Sequence, residues 1–115
     1  MITFHVRCRL RDGQLPTAEP AISELVARVQ LDERDAVHYS FFRTTRDPQE
    51  IVLVESYTSN EAFLAHNQSP HMLRFRARFT ELFDPATTEV TMLQGLAGFG
   101  REWDGAPEDN LAAAG

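Results

Sequence analysis

The chain contains no lysine; all 11 of its basic residues are arginine. Schiff-base chemistry and a phosphate-loop lysine are thereby excluded. Cysteine occurs once, as Cys8, so no disulfide can close within the chain and the disulfide-stapled secreted class is ruled out. A reducing, cytoplasmic setting is expected. Cationic surface is also scarce. The formal net charge is −6, which argues against a nucleic-acid partner or an anionic membrane, since both need clustered basic residues. No apolar run approaches the roughly 20 residues of a membrane span, and Met1 to Cys8 alternates instead of building an apolar signal core. A glycine-rich phosphate loop is missing too. Gly98-Phe99-Gly100 opens no helical pattern, so no nucleotide cofactor is indicated and no cofactor is expected.

What is present is ordinary globular composition, with 43% hydrophobic and 24% charged residues in a chain of 115, enough for one domain around one core. So small a domain buries a modest share of its surface, and covering a further apolar face in a homodimer would add stability. Glu102, Asp104, Glu108 and Asp109 concentrate acid at the C-terminal end, where glycine and proline recur without periodicity. Residues 1–97 are therefore expected to fold and 98–115 to form a flexible acidic tail, with Trp103 either an anchor or an exposed side chain.

Ile2 to Leu10 alternates apolar and polar positions, the signature of a half-buried strand. Thr17 is placed to cap a helix reaching about Gln30, with Pro20 in its first turn and Ile22, Leu25, Val26 and Val29 as one stripe. Val37 to Arg43 and Ile51 to Tyr57 read as a hairpin closed around Arg46-Asp47-Pro48. Thr58 and Glu61 form a capping box for a short helix. Ser69-Pro70 starts another, with Met72, Phe75, Phe79 and Leu82 at helical spacing and Asp84-Pro85 as its stop; Thr87 to Leu96 reads as the last strand. The order βαββ(α)αβ predicts an α+β, ferredoxin-like domain: a four-stranded antiparallel sheet with its helices on one face. Val52 and Val54 alternate with Ile51 and Leu53, so both faces of that strand are apolar and both need cover.

One stretch carries a family resemblance. A strand ending Glu55-Ser56-Tyr57, then Ser59-Asn60-Glu61-Ala62-Phe63-Leu64-Ala65-His66 and Ser69-Pro70-His71, resembles the antibiotic-biosynthesis monooxygenase (ABM) domain. The resemblance implies a dimeric ferredoxin-like fold in which the free sheet face meets the sheet of a second subunit. It also implies a pocket between sheet and helices for flat aromatic or quinol-like molecules. Haem-degrading relatives use an Asn on the first strand and a Trp at the end of the third, where this chain has Cys8 and Tyr57. That departure argues against haem cleavage.

The alternation places Val6, Cys8, Leu53, Glu55 and Tyr57 between sheet and helices, with Phe63, Phe75, His66 and His71 approaching from the helical side. Val6, Cys8, Leu53, Phe63 and Phe75 are the expected ligand contacts, and His71, His66, Glu55 and Tyr57 the candidate catalytic groups. Each has a structural alternative. His66 sits where an imidazole can cap a helix C-terminus, and His71 sits at an N-terminus that disfavours the imidazolium and leaves a neutral ring able to accept a proton. Glu55 needs a donor, or else has a raised pKa and serves as a base. Tyr57 offers stacking and a hydroxyl, or plain core packing. No metal site is expected, because His66 and His71 are separated by a proline-containing break and no carboxylate completes a known spacing.

The leading functional expectation is a cofactor-independent monooxygenase for a small phenol or quinol. A non-catalytic binding or stress-associated module of the same fold is the alternative from another class. Isomerisation of a small phosphorylated carbonyl compound would need Arg7 or Arg9 to grip phosphate, and the alternation turns both away from the pocket.

Overall fold

The computed structural model describes residues 1–99. Its elements are β1 (Ile2–Leu10), α1 (Leu15–Asp32), β2 (Ala36–Arg43), β3 (Glu50–Tyr57), α2 (Asn60–Asn67), α3 (Pro70–Ala77), α4 (Phe79–Leu82) and β4 (Phe83–Leu93). The strands form one antiparallel sheet in the order β2-β3-β1-β4, which is the expected ferredoxin-like α+β arrangement. Register follows the apolar alternation. Phe4 pairs with Glu55, Val6 with Leu53 and Cys8 with Ile51, so these residues share the face beneath the helices. Leu25 and Val29 of α1, Phe75 of α3, Leu82 and Phe83 close over Cys8, Leu10 and Ile51 as the buried core. Among the described residues no helix is long and apolar enough to cross a membrane.

The last strand ends at Leu93, short of the expected Leu96, and four other boundaries differ from the sequence reading, each for a local reason. Helix α1 starts at Leu15, with Gln14 at its N-cap position and no side-chain cap. Pro16 provides the fixed φ of an N-terminal helical residue, so Thr17 lies inside the helix and Pro20 falls beyond its first turn. Helix α2 is capped by Ser59, whose Oγ accepts the Ala62 N–H at 3.1 Å. Thr58 instead donates its own N–H to the Asp35 carbonyl, which fixes the end of β3 beside the start of β2.

The helix after Ser69 does not run straight to Leu82. Arg78 donates to the Phe75 carbonyl, three residues back, and this tighter turn starts α4. Phe79 then stacks on Phe83 at 4.9 Å. Strand β4 begins before Asp84-Pro85, not after it. Pro85 has no N–H to give a ladder, and the register jumps there, from Arg7↔Glu89 to Arg9↔Asp84. Thr87 repairs the gap by accepting the Arg9 N–H at 2.9 Å and donating to the Asp84 carbonyl at 2.7 Å.

The face away from the helices carries Val54 opposite His5, Val52 opposite Arg7, and Phe42 opposite Val52. Val52 and Val54 are half-buried and Phe42 is 52% exposed. Arginines edge this strip: Arg7 pairs with Glu50 and Glu89, and Arg9 with Asp47. The residues from 100 onward, Trp103 among them, lie outside the described residues.

Candidate functional site

Between the sheet and helices α2 to α4 lies a cavity of about 400 Å³. Phe4, Val6, Cys8, Phe41, Leu53, Phe63, Phe75 and Phe79 supply most of its wall, and Tyr39, Glu55, His66, Asn67, Arg76 and Thr88 are the polar residues that line it. All five residues expected from sequence to contact a ligand line this space. An apolar, aromatic wall with a few converging polar groups suits a flat organic molecule.

Glu55 projects into the cavity because it alternates with Leu53 on the helix-covered face of β3, and it is only 7% exposed. Two residues on, Tyr57 shares that face, and its hydroxyl donates to Glu55 Oε1 at 2.6 Å. Tyr57 does not itself line the cavity. Burial pushes the Glu55 carboxyl above the usual carboxylate range; the Tyr57 hydroxyl and the nearby His66 oppose that shift, and the charge of Glu33 adds to it. Burial also drives the Tyr57 and Tyr39 hydroxyls well above the usual phenol range, reinforced by the neighbouring carboxylates. Both tyrosines therefore remain donors at neutral pH.

His66 and His71 meet on one carboxylate. Glu33, at the C-cap position of α1, lies 2.9 Å from His66 Nδ1 and 2.5 Å from His71 Nε2. Because a carboxylate only accepts, His66 donates from Nδ1; in the neutral ring this leaves Nε2 as an acceptor, 3.5 Å from the Tyr39 hydroxyl. His66 is 2% exposed and packs among the rings of Tyr39, Tyr57 and His71. It is not a helix cap. The last carbonyls of α2 are met by the Gln68 N–H and by the Ser69 hydroxyl, which donates to the His66 carbonyl at 2.7 Å.

The structure therefore brings Glu55 and His66 to the cavity and sets Tyr57 behind Glu55. It puts His71 elsewhere. His71 borders an open cleft of about 690 Å³ on the far side of Glu33, so the ring proposed from sequence as the pocket's proton acceptor does not reach the pocket. Arg7 and Arg9 lie on the opposite sheet face in ion pairs, so neither supplies the phosphate grip that isomerisation would need; the arginine on the cavity wall is Arg76.

Five polar residues were missed from sequence: Glu33, Tyr39, Asn67, and Arg76 and Thr88 of the cavity wall. Glu33 sits in the charged run Asp32-Glu33-Arg34-Asp35, where nothing separates it from solvated neighbours; two histidines in need of one acceptor were the only hint. Tyr39 was hidden in an alternating strand. Asn67 was legible in principle, since it stands four residues after Phe63 and so shares its helix face.

The sequence pattern of the family described as Antibiotic biosynthesis monooxygenase matches residues 1–78. Among solved structures, Rv0793 from Mycobacterium tuberculosis is 24% identical with a TM-score of 0.75, over 86% of this chain and 98% of that one. PA3566 from Pseudomonas aeruginosa is 21% identical with a TM-score of 0.75, over 84% and 94%. A protein described as an antibiotic biosynthesis monooxygenase is 18% identical with a TM-score of 0.76, over 84% of this chain and all (100%) of its own. At these identities the likeness is one of fold. No curated protein matches the chain.

Proposed function

The chain belongs to the antibiotic biosynthesis monooxygenase family, and on that premise we propose that it oxidises a small phenol or quinol with dioxygen, without a bound cofactor. The observation that carries this reading is that His66, held through Nδ1 by Glu33, and Glu55 both line one aromatic cavity. A base here removes the phenolic proton, and the electron-rich anion then reduces dioxygen directly. For a simple phenol the balance is one ring C–H converted to a carbonyl: one oxygen atom of O2 becomes that carbonyl, the other leaves as water, and a quinone is formed. His66 is the base in this reading, with Glu33 as its positioning residue. In this reading Asn67 and Arg76, which line the cavity, would donate to the developing oxyanion, and Glu55 is a second acceptor.

One observation favours the non-catalytic alternative. Glu55 already accepts from Tyr57, and His66 already sits between Glu33 and Tyr39, so the network is satisfied without a substrate. Titrating phenols and quinols while following melting temperature separates the readings. A ligand that stabilises the protein and is consumed under air supports oxidation, whereas one that stabilises it and is recovered intact supports a binding module. A Leu53→Glu variant should lose the stabilisation in either case.

The assembly we infer is a homodimer formed through the sheet face opposite the helices. Val52, Val54 and Phe42 make an apolar strip there that no helix among the described residues covers, and a second copy of the same strip would bury it in a two-fold contact.

A further inference from the structure

We infer that Glu33, His66 and His71 form a three-ligand site for a divalent transition-metal ion of the zinc class. This does not rest on the oxidation proposed above, because the ion would lie on the Glu33 side of His66, outside the aromatic cavity. The donor set is two imidazole nitrogens and one carboxylate oxygen, a combination that suits zinc, cobalt and ferrous iron. Their ligand atoms all lie within 4.8 Å of one another. Each comes from a different place in the fold: the end of α1, the last turn of α2 and the first turn of α3. Packing therefore holds the three together before any ion arrives.

The geometry agrees with such a site in two respects. Ligands held about 2.0–2.1 Å from a tetrahedral metal stand roughly 3.3–3.4 Å apart, so the 2.9 Å between His66 Nδ1 and Glu33 and the 2.5 Å between His71 Nε2 and Glu33 must both widen as an ion replaces the protons. A metal on His66 Nδ1 leaves the proton on Nε2, where the Tyr39 hydroxyl oxygen at 3.5 Å is the outer partner that ligating histidines usually have. Glu33 and His71 also border the open cleft, which gives the ion an entry path and room for a water as fourth ligand. The cleft wall has Glu24, Asp32 and Asp35 beside Arg28, Arg34 and Arg74, so its charges balance and raise no barrier to a cation.

Protons and metal compete for the same lone pairs. Without metal, both histidines donate to Glu33, and the Nε2 of a neutral His66 is an acceptor toward Tyr39. With metal, the His66 proton sits on Nε2, which becomes a donor. Metal binding would therefore suppress any role of His66 as a base.

The test uses the untagged full chain, stripped with chelator and dialysed against zinc or cobalt. One equivalent should be retained per chain at micromolar free metal, and cobalt should give visible d–d bands without a thiolate charge-transfer band, which separates this site from Cys8. Glu33→Gln and His71→Asn should each weaken binding by more than about 100-fold, since losing even an outer partner costs 10–100-fold. His5→Asn and His38→Asn should leave it unchanged. Substoichiometric binding by the unmodified chain, or equal affinity in the Glu33 and His71 variants, overturns the proposal. If those variants do not fold, imidazole nitrogen NMR of the unmodified chain decides: saturating zinc must shift the His66 and His71 resonances, and unmoved resonances overturn it.

Discussion

His66 Nδ1 lies 2.9 Å from a carboxylate oxygen of Glu33, tying the end of α2 to the end of α1 across 33 positions of sequence. The bond makes Nδ1 the donor of a buried ring, and in the neutral ring it leaves Nε2 as the acceptor beside Tyr39. A helix-capping histidine would cost about 1 kcal/mol to replace with asparagine, which caps as well. A buried ring bonded to a carboxylate should cost about 3 kcal/mol or more, because its loss leaves Glu33 short of a donor. Urea denaturation of His66→Asn measures the difference, and a loss near 1 kcal/mol would restore the capping role.

Glu55 sets a pH dependence whose sign follows from its raised pKa. The folded protein holds this proton to higher pH than the unfolded chain does. The stability it contributes is full below the ordinary glutamate value of 4.5 and is lost as pH rises through the elevated folded value. Glu55→Gln keeps an acceptor for the Tyr57 hydroxyl but cannot ionise. Relative to the unmodified chain, it should gain stability as pH rises through that window. Parallel melting curves of the two proteins from pH 4 upward would contradict the assignment.

Much of the fold was legible because strands and helices repeat on different periods. Alternation in Ile2 to Leu10 and Ile51 to Tyr57 fixed the faces on which Val6, Cys8, Leu53 and Glu55 lie, and all four reach the cavity. Boundaries that depend on single backbone bonds were less legible. Thr58 and Ser59 are equally good caps by type, and only the Thr58 N–H bond to Asp35, a contact across the chain, decides between them. Asp84-Pro85 reads as a stop, yet an edge strand tolerates proline at a bulge. The site was half legible for the same reason: His66 and His71 stood out by residue type, whereas Glu33 gains its role only from tertiary packing.

Assembly gives a further expectation. Val54→Arg places a cation in the apolar strip beside His5 and within reach of Arg7, so the inferred dimer should dissociate or the protein lose solubility. Sedimentation velocity of the unmodified chain should show a dimer at micromolar concentration. A stable monomer there would refute the inferred interface.

The most direct measurement is turnover of a phenol or quinol under ¹⁸O-labelled dioxygen, comparing the chelator-treated chain with His66→Asn and a heat-inactivated control. One labelled oxygen should enter the quinone and one should appear in water, with the His66 variant slower by about 10²-fold or more, the scale for losing a general base. Labelled product at equal rates in His66→Asn, or no product above the inactivated control, would contradict the role given to the Glu33–His66 pair.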